Sequence, residues 1–223
     1  IAPNMATMLA YVFTDAAIPP RVLQTLVRES VDRSFNSITV DSDTSTSDTV
    51  LMFATGQGAK HRKVTAASNP HLKAFKAKLD AVMIDLAHQI VKDGEGASKF
   101  VTIAVTGAAS DAAARRIGLT IANSPLVKTA IAGEDANWGR LIMAVGKGSD
   151  RINQKHLRIG IGGVRVADGR GAVKGYDERP VAEHLKGRSV DIAVDVGVAK
   201  GKATVWTCDL THGYIDINAD YRS

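Results

Sequence analysis

The segment from Asn69 to Gly94 constrains the fold more than any other part of the sequence. Asn69-Pro70 is a typical helix start, with asparagine as the cap and proline at the first helical position. The residues that follow repeat with the 3.6-residue period of an amphipathic helix, which ends at Asp93-Gly94, and its apolar positions are Leu72, Phe75, Leu79, Val82, Met83, Leu86, Ile90 and Val91. The apolar run FVTIAVT at 100–106 then predicts a buried strand. A long helix followed directly by such a strand indicates an α/β or α+β chain.

The rest of the chain shows the same mixture of elements. Patterning in the first part predicts strands at 7–14 and 36–40, a helix from Pro20, a polar loop at 41–48, an apolar run at 50–56 and a helix from Ser110-Asp111 toward Asn123. Later patterning predicts strands at 157–166, 189–197 and 202–210, a short helix at 179–185, a hairpin at 198–202 and a strand-like end at 215–223. We therefore predict the α/β class with mixed sheets.

Composition excludes several classes of protein. With 45% hydrophobic and 23% charged residues, the 223-residue chain is not disordered. Its net charge of +5 would suit an anionic partner, but basic residues cluster only at 60–63 (KHRK), which favours small anionic substrates over nucleic acid. A nucleic-acid-binding domain is the non-enzymatic alternative.

Cysteine usage and hydropathy indicate the compartment. Cys208 is the single cysteine, so we expect a buried small side chain, no internal disulfide and a reducing environment. No apolar run is long enough to cross a membrane, and no signal peptide is recognisable. These features predict a cytoplasmic protein without a membrane partner.

Common catalytic and metal-binding motifs are missing. The six histidines show no metal-ligand spacing, and no GxSxG nucleophile elbow is present. The glycines at 56–58 and 160–163 lack the context of a phosphate-binding loop, so we interpret them as turns or bulges. We expect no metal and no bound cofactor.

Thr7 offers a different chemistry, because the segment NMATML at 4–9 places it at the head of a strand behind a small residue. Attack of its hydroxyl on the Ala6 carbonyl would give an ester by an N-to-O acyl shift, and water would then release Thr7 with a free amino group. That amine, with a reference pKa of about 7.7 to 8.0, can act as the base for the Thr7 hydroxyl. An ordinary strand threonine is the alternative.

Two further places keep polar residues that the folding pattern does not require. Asp93–Lys99 (DGEGASK) sets a carboxylate between glycines at a helix-to-strand junction, where the backbone can approach a ligand. The second place is the structured-looking chain end at 215–223. A solvated turn is the alternative for the first.

Five motifs in order carry a family resemblance that extends over nearly the whole chain. They are IAPNMATMLAYVFTDA, SDTVLMFATGQ, DGEGASKFVTIAVTGA, GEDANWGRL and YIDINADYRS. Together they resemble the β-chain portion of the arginine-biosynthesis ornithine acetyltransferases, also called glutamate N-acetyltransferases.

The resemblance implies a role for particular residues. The precursor would cleave itself between Ala6 and Thr7, so that residues 1–6 end an α chain and residues 7–223 form the β chain. Thr7 would be the nucleophile and would carry the acetyl group, and Glu95, Asn218 and Ser223 would bind substrate. Ser223 departs from the family's usual threonine and keeps its hydroxyl.

The resemblance also implies a fold, substrates and partners. The fold would be α/β, with layered mixed β-sheets packed between helices and completed by a separate α chain that holds the oxyanion hole, in an α2β2 heterotetramer. Acetyl would pass from N-acetylornithine to glutamate, giving ornithine and N-acetylglutamate, with acetyl-CoA as a possible second donor. The alternative enzyme is an N-terminal-nucleophile amidase or aminopeptidase of a related fold, in which water accepts the acyl group.

Overall fold

The computed structural model describes residues 8–169 and 171–220. The chain divides into two compact units, one up to Gln89 and one from Ile90 onward. Thr7, Ala6 and Ser223, three of the predicted site positions, lie outside the described residues. No helix among the residues described is long and apolar enough to cross a membrane.

The first unit contains a small parallel sheet. Strand β1, Leu9–Thr14, pairs with β2, Thr49–Ala54, and helix α1, Pro20–Arg33, lies between them in sequence. Helix α1 has proline at its first position, as predicted, and buries Val22 and Leu26.

The strand predicted at 36–40 is wrong. Phe35–Ser37 forms a 3₁₀ turn instead, followed by a single bridge residue at Ile38. The hydroxyl of Ser34 donates to the Ser30 carbonyl (2.7 Å) and that of Ser37 to the Asp32 carbonyl (2.8 Å). These bonds to the end of α1 stabilise a turn, and local side-chain bonding of this kind competes with strand formation.

The long amphipathic helix is confirmed. A 3₁₀ turn at Pro70–Leu72 leads into α2, Lys73–Lys92, and the Asn69 side chain accepts a hydrogen bond from the His71 amide (3.0 Å). Ion pairs join α1 to α2 within the first unit: Arg33 binds Asp80 (2.8 Å) and Lys76 binds Glu29 (2.7 Å). Exposed pairs of this kind each contribute about 1 kcal/mol or less.

The second unit is built on a mixed six-stranded sheet. Its strand order is β6-β5-β4-β7-β3-β8, in which β3 and β7 are parallel and the other neighbours antiparallel. The strands are β3, Phe100–Ala108; β4, Arg158–Ile161; β5, Val164–Asp168; β6, Gly171–Ala172; β7, Ser189–Asp195; and β8, Gly201–Cys208. Glycines 162 and 163, both with positive φ, form the tight turn between β4 and β5, which confirms them as turn residues.

The hairpin predicted at 198–202 is wrong, because β7 and β8 are not neighbours. Strand β7 is already paired with β4 on one side and with β3 on the other, so β8 pairs with the far edge of β3. The connecting segment bonds to the end of β3 instead, where the Gly107 carbonyl accepts the amides of Val198 (2.7 Å) and Ala199 (2.8 Å).

Alternate residues of the central strands form the core. Val101, Ile103 and Val105 of β3 are buried, as are Val190, Ile192 and Val194 of β7. Helices complete this unit: α3, Asp111–Ala122; α4, Pro125–Ala132; α5, Trp138–Lys147; α6, Arg179–Leu185; and α7, His212–Asp220. The α/β class with mixed sheets and packed helices is therefore confirmed.

Candidate active site

Met8, the residue that follows the predicted nucleophile, makes hydrogen bonds through both its amide and its carbonyl. The amide of Met8 donates to Asp48 Oδ1 (3.0 Å), and the carbonyl of Met8 accepts the Thr49 amide (2.8 Å). The Met8 amide belongs to the planar peptide group that joins it to Thr7. Asp48 therefore binds the residue that follows the candidate nucleophile in sequence, a contact that its place at the end of the polar loop at 41–48 did not reveal.

Glu95 lies in a turn at the end of α2. The amides of Asp93 and Gly94 still bond back to the helix, the Ala97 amide donates to the Gly94 carbonyl (2.9 Å), and Gly96 has φ of +67°. Glu95 is half-buried, and its carboxylate makes no hydrogen bond or ion pair with residues 8–169 or 171–220. It is thus free to bind a cationic group of a ligand.

Asn218 lies on a helix, and the strand expected at 215–223 is wrong over its described part. Helix α7 begins after Thr211, whose hydroxyl accepts the Gly213 amide (3.1 Å) and whose carbonyl accepts the Tyr214 amide (3.2 Å). This local cap starts a helix although isoleucines two residues apart suggest a strand. The Asn218 Nδ2 donates to the Tyr214 carbonyl (2.9 Å), which leaves its side-chain oxygen as an acceptor.

The Glu95 turn and the start of α7 touch each other. The Thr211 hydroxyl donates to the Gly96 carbonyl (2.6 Å), next to Glu95. A Cβ added at Gly96 would lie 2.5 Å from the Gly213 carbonyl carbon and closer still to the Tyr214 nitrogen. The two chain segments that carry Glu95 and Asn218 are therefore in backbone contact.

A buried carboxylate lies under this contact. Asp209 follows β8 and is 2% exposed. Its Oδ1 accepts the amides of Ser98 (2.8 Å) and Lys99 (2.9 Å), and its Oδ2 accepts the Ser98 hydroxyl (2.5 Å). Sequence reasoning missed Asp209 and Thr211, since each is joined to the turn across more than a hundred residues of sequence.

Two buried lysines are used structurally. The Lys128 ammonium, on α4, donates to the Thr207 hydroxyl (2.9 Å) and to the Cys208 carbonyl. The Lys99 ammonium donates to Glu134 (3.1 Å) and to the Leu185 carbonyl (2.7 Å). Their bonds satisfy the charge that burial would otherwise destabilise.

Cys208 is buried, as predicted. Burial raises the pKa of its thiol, and the Lys128 ammonium acts in the opposite direction. A protonated, inaccessible thiol is a poor nucleophile. Within the described part of the chain, no three His, Cys, Asp or Glu side chains are grouped as they would be to hold a metal.

Comparison with known proteins gives the class to which this fold belongs. A crystal structure of the arginine biosynthesis bifunctional protein ArgJ from Bacillus halodurans superposes with a TM-score of 0.91 at 41% identity, covering 96% of this chain and 100% of that one. The fold is thus that of a solved arginine-biosynthesis protein.

Sequence comparison gives the family. A model of the ArgJ family matches residues 1–223. Arginine biosynthesis bifunctional proteins ArgJ from Gluconobacter oxydans and Zymomonas mobilis are 57% and 56% identical over 100% of this chain, which covers 52% and 54% of their lengths. The chain belongs to the ArgJ family, as the motifs indicated, and spans about half the length of these curated relatives.

Proposed function

We propose that this chain is the β chain of a glutamate N-acetyltransferase of arginine biosynthesis. The observation that carries the proposal is the identity above 50% to proteins named for that pathway, over the whole chain. Self-cleavage between Ala6 and Thr7 would separate residues 1–6 from residues 7–223 and give Thr7 its free amine.

The reaction proceeds through an acetyl ester of Thr7. The Thr7 oxygen attacks the acetyl carbonyl of N-acetylornithine, its proton passes through the Thr7 amine to the departing nitrogen, and ornithine leaves. The amine of glutamate then attacks the ester, a proton returns to the Thr7 oxygen, and N-acetylglutamate leaves. Because the chemistry is acyl transfer between nitrogen and oxygen, no cofactor is needed.

The substrate-binding candidates suit these molecules. The Glu95 carboxylate has no partner among residues 8–169 and 171–220 and could bind a substrate ammonium, and charge-assisted bonds of this kind are strong. The Asn218 oxygen can accept from an amine or amide, and Ser223 would add a hydroxyl.

Acetyl-CoA as a second donor is part of the proposal. The relatives are named bifunctional, which supports a second activity alongside the first. The site of action would be the cytoplasm, in agreement with a lone buried cysteine.

The test is acetyl transfer by the complete protein. We expect N-acetylglutamate to form from N-acetylornithine and glutamate, and from acetyl-CoA and glutamate. Release of acetate that does not depend on glutamate would instead identify the amidase alternative. Failure of both transfer reactions would refute the proposal.

The proposed partner is an α chain that corresponds to the part of the curated relatives outside the span of this chain, assembled as α2β2. One face of the β1–β2 sheet supports it: Leu9, Tyr11, Phe13, Leu51 and Phe53 are all exposed. The Phe13 and Phe53 rings stack on each other with centroids 5.1 Å apart, and Phe13 is 69% exposed. Contiguous exposed apolar surface of this kind marks an interface.

Substituting Phe13 tests this surface. We expect Phe13→Lys to weaken the association of the cleaved chains by about 2 kcal/mol or more, as loss of a buried aromatic anchor does. The measurement is the urea concentration at which a tagged β chain releases the α chain. Val82→Lys, which changes an exposed apolar residue on α2, is the control. If the Phe13→Lys β chain released the α chain at the same urea concentration as the wild type, the assignment of this face as the interface would be contradicted.

A further inference from the structure

The contact between the Glu95 turn and α7 is stabilised by Asp209 and Thr211. Asp209 is almost fully buried and binds the chain at Ser98 and Lys99 with three hydrogen bonds. The Asp209 amide in turn donates to the Lys99 carbonyl (3.2 Å). Asp209, at the end of β8, therefore both accepts hydrogen bonds from the segment after the turn and donates one to it.

Thr211 fixes the other end of the same turn. Its hydroxyl donates to the Gly96 carbonyl (2.6 Å) and accepts the Gly213 amide (3.1 Å). One oxygen thus joins the peptide next to Glu95 to the first turn of α7. Asn218 lies on that helix, bonded to the Tyr214 carbonyl (2.9 Å).

The close approach at Gly96 removes the remaining freedom. Because the backbone of Gly213 and Tyr214 fills the space where a side chain of residue 96 would be, the turn and the helix start have no gap between them. A displacement of one segment must move the other. The placement of Glu95 and Asn218 is coupled through Asp209, Thr211 and Gly96.

We propose that Asp209 and Thr211 are positioning residues that set the spacing of Glu95 and Asn218 for the amino-acid part of the substrate. This inference rests on the proposed function. Neither residue takes part in the acyl chemistry. Loosening their bonds misplaces the two binding groups, and a misplacement of about 1 Å can cost on the order of 100-fold in rate.

The experiment uses Thr211→Val in the complete, self-cleaved protein. Valine keeps the shape of threonine and removes only the hydroxyl. We expect KM for N-acetylornithine to rise between about 10- and 100-fold. Acylation of Thr7 by p-nitrophenyl acetate, an acetyl donor without an amino-acid part, should keep its wild-type rate, because that donor does not use Glu95 or Asn218.

Two further variants separate positioning from stability. Thr211→Ser restores the hydroxyl and should restore KM. Thr120→Val is the matched control on α3, where a half-buried threonine hydroxyl bonds the Arg116 carbonyl (2.9 Å), and it should leave both reactions unchanged. If Thr211→Val does not fold, Asp209→Asn replaces it, because an amide side chain keeps an oxygen acceptor for both backbone amides. We then expect the same result, a raised KM for N-acetylornithine and an unchanged rate of acylation by p-nitrophenyl acetate.

The outcomes are distinct. A wild-type KM in Thr211→Val, or an equal loss with both acetyl donors, overturns the positioning role. A wild-type enzyme that acylates Thr7 with neither donor refutes the proposed function itself and not the inference about these two residues.

Discussion

Thr7→Ala in the complete precursor is expected to abolish both cleavage of the 6–7 bond and acetyl transfer. Alanine has no hydroxyl to attack the Ala6 carbonyl and none to carry the acetyl group. Removing the nucleophile of another covalent catalyst costs on the order of 10⁶-fold in kcat, and a loss of that size is expected here. Intact-mass analysis measures cleavage, and formation of N-acetylglutamate measures transfer.

Two variants control for nonspecific effects. Thr7→Ser keeps a hydroxyl and should retain cleavage and transfer at a reduced rate. Thr25→Ala removes an exposed α1 hydroxyl that bonds the Arg21 carbonyl (3.1 Å) and should behave as wild type. A Thr7→Ala precursor that still splits at this bond and still transfers acetyl would disprove the role of Thr7.

Gly96→Ala is expected to disrupt the Glu95 turn. The new methyl group would meet the backbone of Gly213 and Tyr214 at a distance that real Cβ contacts do not reach, and alanine would also have to adopt φ near +67°. Overpacking costs about 1 to 3 kcal/mol and a left-handed residue about 1 to 2 kcal/mol more. We expect the free energy of unfolding to fall by about 2 to 5 kcal/mol in urea titration, with loss of N-acetylornithine binding.

Gly163→Ala separates these two causes. Gly163 has φ of +79°, but a Cβ added there meets nothing within 4 Å. In Gly163→Ala the free energy of unfolding should therefore fall only by the cost of the left-handed backbone, about 1 to 2 kcal/mol, and substrate binding should be kept. Equal destabilisation by the two substitutions would show that the contact at Gly96 is not tight.

Elements with a complete local signal could be predicted from the sequence. The α2 helix has a long apolar face, and a 3₁₀ turn with Asn69 as its cap and Pro70 at its first position leads into it. Helix α3 has Ser110 as its cap, and the Ser110 hydroxyl accepts the Ala113 amide (3.2 Å). The order of strands could not be predicted. The separation of β7 from β8 depends on β3, which comes more than eighty residues earlier and occupies the edge that a hairpin would use.

The candidate site likewise combines residues with a local sequence signal and residues that only the fold reveals. Its chemically conspicuous candidates are Glu95, between glycines, and Thr7, in the NMATML segment, and both could be selected from the sequence and from family motifs. Asp48, Asp209 and Thr211 could not, because their partners are distant along the chain and each is an ordinary polar residue in its local context. A helix in place of the expected terminal strand also depends on the Thr211 cap, which only the folded chain reveals.

The exposed apolar face of β1 also bears on when the proposed cleavage before that strand would occur. Joined in one polypeptide, the two halves of a precursor would meet at an effective concentration of about millimolar order, and the proposed α chain could cover the face as the chain folds. Were the bond cut first, a short strand pair with stacked phenyl rings would meet its partner only by diffusion, in competition with aggregation. If cleavage follows assembly, each copy would gain its catalytic amine only once this face is covered.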